Sequence, residues 1–164
     1  LPAADVEWLF ALLEGRAQAR PFCDGGKRVG DRGGGTVEGR LVGGNLELIT
    51  RLVGTPWALD LGASVFLVEE TNEAPYRVDR MLTQLRLAGA LDGVRAVAVG
   101  EFIGCVASDS PRVEKVIAER LAAFGLPGVT GVPVGHGERN LAFWQGATCT
   151  VDLARGCLEV ETGS

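Results

Sequence analysis

An α/β fold is predicted by three observations. Two continuous apolar runs, Ser64–Val68 and Ala96–Val99, read as buried strands; a helix-periodic segment follows each; and the last third of the chain returns to short strands. After the first strand, Pro75 opens a helix in which Val78, Met81, Leu82 and Leu85 share one face until Gly89. After the second, Ser110 and Pro111 supply an N-cap and a first-turn proline for a helix burying Val113, Val116, Ile117, Leu121 and Phe124, which Gly125 and Pro127 stop. Val129–Val134, Ala147–Leu153 and Cys157–Val160 read as further strands, the last two joined by a turn at Arg155 and Gly156. Ahead of all these, Val6–Leu13 is apolar at helical spacing and ends at Gly15.

From Gly15 to about Glu38 no periodicity persists. Gly25, Gly26, Gly30, Gly33, Gly34 and Gly35 mark this stretch as a linker or functional loop and place a domain boundary there. A phosphate-binding loop does not fit, because Gly26 and Lys27 are followed by Arg28 where Ser or Thr is needed, and no strand leads in.

The 164 residues suffice for one domain with its own core, and 46% hydrophobic with 23% charged residues is ordinary globular composition. A net charge of −5 without Lys/Arg runs argues against nucleic-acid binding. No apolar stretch reaches the roughly 20 residues of a bilayer span, and Leu1–Asp5 has no signal-type character, so a cytoplasmic protein without membrane attachment is expected. The initial Leu in place of Met suggests a fragment. Cys23, Cys105, Cys149 and Cys157 form no C-x-x-C pair and read as reduced thiols. One histidine and scattered cysteines make no ligand set, so no metal or organic cofactor is indicated.

His136, the only histidine, sits between Gly135 and Gly137 after a predicted strand. Flanking glycines let the chain turn sharply and leave the imidazole uncovered, which suits a general base and equally a surface-loop histidine. Glu69 and Glu70 end the strand that begins at Ser64; their side chains point to opposite faces, so only one enters a given site. Glu73, just before Pro75, suits the helix dipole. A carboxylate and an imidazole are two thirds of a hydrolytic triad. None of Ser64, Ser108, Ser110 and Ser164 lies at a nucleophile elbow, and nothing marks Cys105 as having a lowered pKa.

The runs Gly39–Leu46, Gly54–Trp57, Phe66–Leu82 and Pro133–Gly137 resemble, in order and spacing, the LD-carboxypeptidase (muramoyltetrapeptide carboxypeptidase) family from about Gly39 onward. The resemblance implies residues 1–38 as an N-terminal helix and Gly-rich interdomain linker, and 39–164 as the family's C-terminal domain, a swivelling β/β/α three-layer α/β unit. It implies Glu69 and His136 as triad members, with Asn45 lining the substrate pocket; a turn-stabilising role is the other reading of Asn45. Glu70 receives no catalytic role. The nucleophilic Ser and the oxyanion hole would come from an N-terminal domain of the same protein, so this chain alone would be inactive. The complete protein would be a homodimeric serine carboxypeptidase acting on a muropeptide or small peptide, releasing D-alanine in peptidoglycan recycling. A microcin C-type immunity hydrolase, with Trp57 and Trp144 stacking on a nucleobase, and a non-catalytic binding or dimerisation domain are the alternatives.

Overall fold

The computed structural model describes residues 1–23, 25–30 and 34–162. Gly33 of the glycine-rich stretch and the terminal Ser164 lie outside them. The elements in chain order are α1 (Ala3–Leu13), β1 (Arg20–Cys23), β2 (Arg28–Gly30), β3 (Thr36–Asn45), α2 (Leu46–Leu52), β4 (Ser64–Thr71), α3 (Pro75–Leu87), β5 (Ala96–Ile103), α4 (Val113–Phe124), β6 (Pro127–Thr130), β7 (Thr148–Asp152) and β8 (Cys157–Val160). The described strands form a mixed sheet in the order β1-β8-β7-β3-β4-β5-β6-β2. The α/β expectation holds: β3, β4, β5 and β6 are parallel neighbours, connected in turn by α2, α3 and α4.

Each face of the sheet has its own core. Val42, Phe66, Val68, Val97 and Val99 pack against Leu46 of α2, Val78, Met81, Leu82 and Leu85 of α3, and Val113, Ile117 and Leu121 of α4. Full burial of each of these large side chains stabilises the fold by up to about 1.5–3 kcal/mol. On the other face Leu41, Val65, Leu67, Ala96, Ala98 and Val129 join Trp8 and Leu12 of α1, Leu141, and Phe22, Val151, Leu158 and Val160 of the antiparallel strands. The odd and even positions of β4 thus feed opposite cores, which decides where its two terminal carboxylates go.

The structure departs from sequence expectation in four places. Arg20–Cys23 and Arg28–Gly30, within the expected linker, form β1, paired with β8, and β2, paired with β6. Strand β3 starts at Thr36 and so passes across the boundary placed between residues 38 and 39. Helix α4 starts at Val113 after Arg112, with no side-chain cap bond; Ser110 lies in the preceding turn, its N–H donating to the Ala107 carbonyl at 3.4 Å. The strand expected over Val129–Val134 ends at Thr130, because Gly131 turns the chain out of extended geometry with a φ of +81°. The chain still follows β5, through Val132 N–H to Val99 O at 3.3 Å and Glu101 N–H to Val134 O at 2.9 Å.

Gly43 in β3 is the tightest backbone contact of the parallel sheet. Its φ is +153°, and a Cβ there would stand 1.8 Å from the Leu67 carbonyl oxygen. Backbone, unlike a side-chain tip, cannot swing away. Gly43→Ala is therefore expected to cost at least about 2 kcal/mol, read as a lower urea midpoint with an unchanged slope.

Candidate active site

The residues with chemical potential gather at the C-terminal ends of the parallel strands, the edge at which open α/β sheets bind ligands. Glu69 belongs to the odd positions of β4 and emerges on the α1 side, where it is 5% exposed. Opposite it, β5 takes three steps, Val99 to Phe102, against two steps of β4, Val68 to Glu70. Such a bulge re-aims side chains where pairing is interrupted. Gly100 lies in this bulge, and a Cβ there would meet Val134 O at 2.5 Å and Glu69 Cβ at 3.2 Å. Glycine at this position lets the chain leading to His136 approach Glu69.

The structure joins the two predicted catalytic residues, 67 positions apart in sequence: His136 Nδ1 lies 2.8 Å from Glu69 Oε2. A carboxylate can only accept, so Nδ1 carries the hydrogen and donates it. Nε2 is then the basic nitrogen. Among the described residues it has no hydrogen-bond partner, and the imidazole is half exposed. A buried carboxylate fixing the tautomer of an exposed ring is an arrangement that can take a proton from a hydroxyl and return it to a leaving amine.

Glu70, on the opposite face, is 2% exposed and bound throughout. Its Oε1 accepts from Asn45 Nδ2 at 2.8 Å and from Thr71 N–H at 2.9 Å, while Oε2 accepts from Glu47 N–H at 2.8 Å. It anchors the first turn of α2. Asn45 is the N-cap of α2, its Oδ1 accepting from Leu48 N–H at 3.1 Å. Both ends of the Asn45 side chain are thus engaged within the protein, as in a turn-stabilising Asn, with one amide N–H uncommitted. Asn45 is the register partner of Glu69, so it stands at the same sheet edge.

Sequence reading missed Glu101, Asp5 and Arg139. Glu101 follows Gly100 in the bulge, and its carboxylate packs against the backbone of Gly137; its Oε2 is buried without a hydrogen-bond partner among the described residues. The hydrogen bond and charge of Asp5 and, more weakly, the charge of Glu101 raise the pKa of Arg139. The Arg139 guanidinium in turn holds the Asp5 carboxyl below its ordinary range, against the opposing effect of burial. A depressed folded pKa contributes stability that is present above the ordinary carboxylate range and is lost as pH falls through the folded value.

The thiols are poor candidates for the nucleophile. All four are buried; burial raises the Cys105 pKa and pushes Cys149 up to about 12. Ser64 opens β4, at the far end of that strand from Glu69, and its hydroxyl donates to the Leu61 carbonyl at 2.7 Å. Among the described residues no three His, Cys, Asp or Glu side chains converge to hold a metal, and no helix is long and apolar enough to cross a membrane. A groove of about 440 Å³ between α2 and α3, bordered by Glu73, Arg77 and Arg80, does not include His136 among its lining residues.

Fold and site together define an α/β domain that presents a carboxylate-held imidazole at the C-terminal edge of its parallel strands. Residues 38–151 match the model of the LD-carboxypeptidase C-terminal domain, and the chain belongs to that family. It is 34% identical over 132 residues to a Bacillus subtilis protein named "Probable murein peptide carboxypeptidase", covering 79% of this chain and 41% of that one. The muramoyltetrapeptide carboxypeptidase structure from Oxalobacter formigenes superimposes with a TM-score of 0.82 at 26% identity, covering 100% of this chain and 56% of that one. The microcin C7 self-immunity protein MccF of Escherichia coli is 28% identical over 124 residues, 74% of this chain and 36% of its own length. The chain thus spans about half or less of the length of these relatives.

Proposed function

We propose that this domain supplies the base and its orienting carboxylate to a serine-type LD-carboxypeptidase that removes D-alanine from muropeptide tetrapeptides. The observation that carries the reading is the 2.8 Å contact of His136 Nδ1 with buried Glu69, which leaves Nε2 without a partner among the described residues at an exposed ring. The nucleophile is a serine from a part of the protein outside these 164 residues, reached through α1 and the segment after it. Its Oγ attacks the carbonyl carbon of the L-to-D peptide bond while His136 Nε2 takes the hydroxyl proton. The C–N bond then breaks, His136 returns the proton to the departing D-alanine amine, and water hydrolyses the acyl-enzyme by the same proton relay. Asn45, through its uncommitted amide N–H, contacts the substrate. A cytoplasmic homodimer, active in peptidoglycan recycling, completes the reading; the names of the relatives support its substrate class.

Trp57 is 78% and Trp144 49% exposed, and these rings favour one second reading, a hydrolase whose substrate carries a nucleobase that stacks on them. The full-length protein is expected to release D-alanine from a tetrapeptide ending in L-lysyl- or diaminopimelyl-D-alanine, and to leave an aminoacyl sulfamoyl adenosine intact. The reverse preference would replace the first reading by the second, and turnover of neither would make this a binding domain.

A further inference from the structure

We infer that Asp5 is a positioning residue for His136, acting through Arg139 and Asn140 on the loop that carries the imidazole; the inference rests on His136 being the base. No helix or strand spans residues 131–147, and glycines flank the ring on both sides. The Glu69 contact fixes one ring atom, and the remaining freedom of the loop must be removed by something else. The Asp5 side chain, 0% exposed, takes that part. Arg139 Nε donates to its Oδ1 at 3.0 Å and Oδ2 at 3.1 Å, Nη2 donates to Oδ1 at 2.8 Å, and Asn140 N–H donates to Oδ2 at 3.0 Å. From there the chain of contacts leads back to the ring: Asn140 Oδ1 accepts from Gly135 N–H at 3.3 Å, and Leu141 N–H donates to Pro133 O at 2.8 Å. Trp8 adds a further tie from α1, its Nε1–H donating to Ala142 O at 2.8 Å.

A buried carboxylate with every lone pair engaged is specific in a way that apolar packing is not. Its bidentate guanidinium partner fixes direction as well as distance, and an error of about 1 Å at a catalytic group can lower rate by roughly a hundredfold. The other role open to Asp5 is to fasten α1 to the sheet, which Trp8 and Leu12 already do by burial. The two roles separate experimentally.

In the full-length protein Asp5→Asn, which keeps shape and loses the charged fork, is expected to lower kcat by about tenfold to a hundredfold with KM within about twofold. Leu12→Ala, on the same buried face of α1, is expected to lower the unfolding midpoint and leave kcat within about twofold. In this chain the single imidazole gives one set of ring resonances, which should shift toward free-histidine values in Asp5→Asn and stay in place in Leu12→Ala. Should Asp5→Asn fail to fold, Arg139→Lys tests the same link, with a smaller kcat loss expected. Wild-type kcat and ring resonances in the Asp5 or Arg139 variant, or equal kcat losses in Asp5→Asn and Leu12→Ala, would overturn the inference. His136→Ala, assayed alongside, separates the two claims: if it keeps wild-type turnover the reading of His136 as base fails, and if it is inactive while Asp5→Asn is unaffected only the positioning role fails.

Discussion

Replacing His136 by Ala in the full-length protein is expected to lower kcat for D-alanine release by about 10⁴- to 10⁶-fold, with KM little changed. The size follows from what is lost. On the proposed mechanism, without the imidazole the serine hydroxyl would have no acceptor for its proton, and the departing amine no donor; among the described residues nothing else bonds to His136 that could take over. Substrate contacts and the oxyanion hole would survive, so a residual rate above background should remain. Since the ring is half exposed, the unfolding midpoint should move little.

Glu69→Gln is expected to lower kcat by about 10⁴-fold, at the low end of the range for removal of the imidazole and by a different cause. Glu69 accepts the Nδ1 hydrogen and so leaves Nε2 basic. A glutamine of the same shape can turn its amide N–H toward Nδ1, which favours the tautomer with the hydrogen on Nε2, where it blocks proton uptake. The carboxylate that balances the imidazolium is lost as well. Glu70→Gln provides the contrast. That carboxylate faces α2 and anchors its first turn, so its loss should appear in the unfolding midpoint before it appears in kcat.

Strands and helices with strong apolar patterns were legible from the sequence: β4 and β5 as continuous apolar runs, α3 from Val78, Met81, Leu82 and Leu85, and β8 at its observed bounds. What escaped depends on partners distant in sequence. β1 and β2 have four and three residues and become strands only by pairing with β8 and β6, more than 90 positions away. β3 carries glycine at 39, 43 and 44, the first two in close backbone approach to their neighbours, so apolar alternation is broken, and α2 has only seven residues. Within the site, alternation along β4 separated Glu69 from Glu70 and the paired glycines drew attention to His136. Asp5 lies just ahead of the helix expected over Val6–Leu13, where nothing local marks it out; the partner that satisfies its buried carboxylate, Arg139, stands 134 residues later. Glu101 was hidden in the same way, because the bulge that directs it toward Gly137 is a property of the β4–β5 register.

The central claim is that Glu69 and His136 activate a serine lying outside these 164 residues. Labelling of the full-length protein with a fluorophosphonate, followed by peptide mapping, tests it most directly. The account predicts one modified serine outside this chain, labelled rapidly in the wild type and at least about a hundredfold more slowly in His136→Ala. A label on a residue within the chain, or unchanged labelling in His136→Ala, would contradict it.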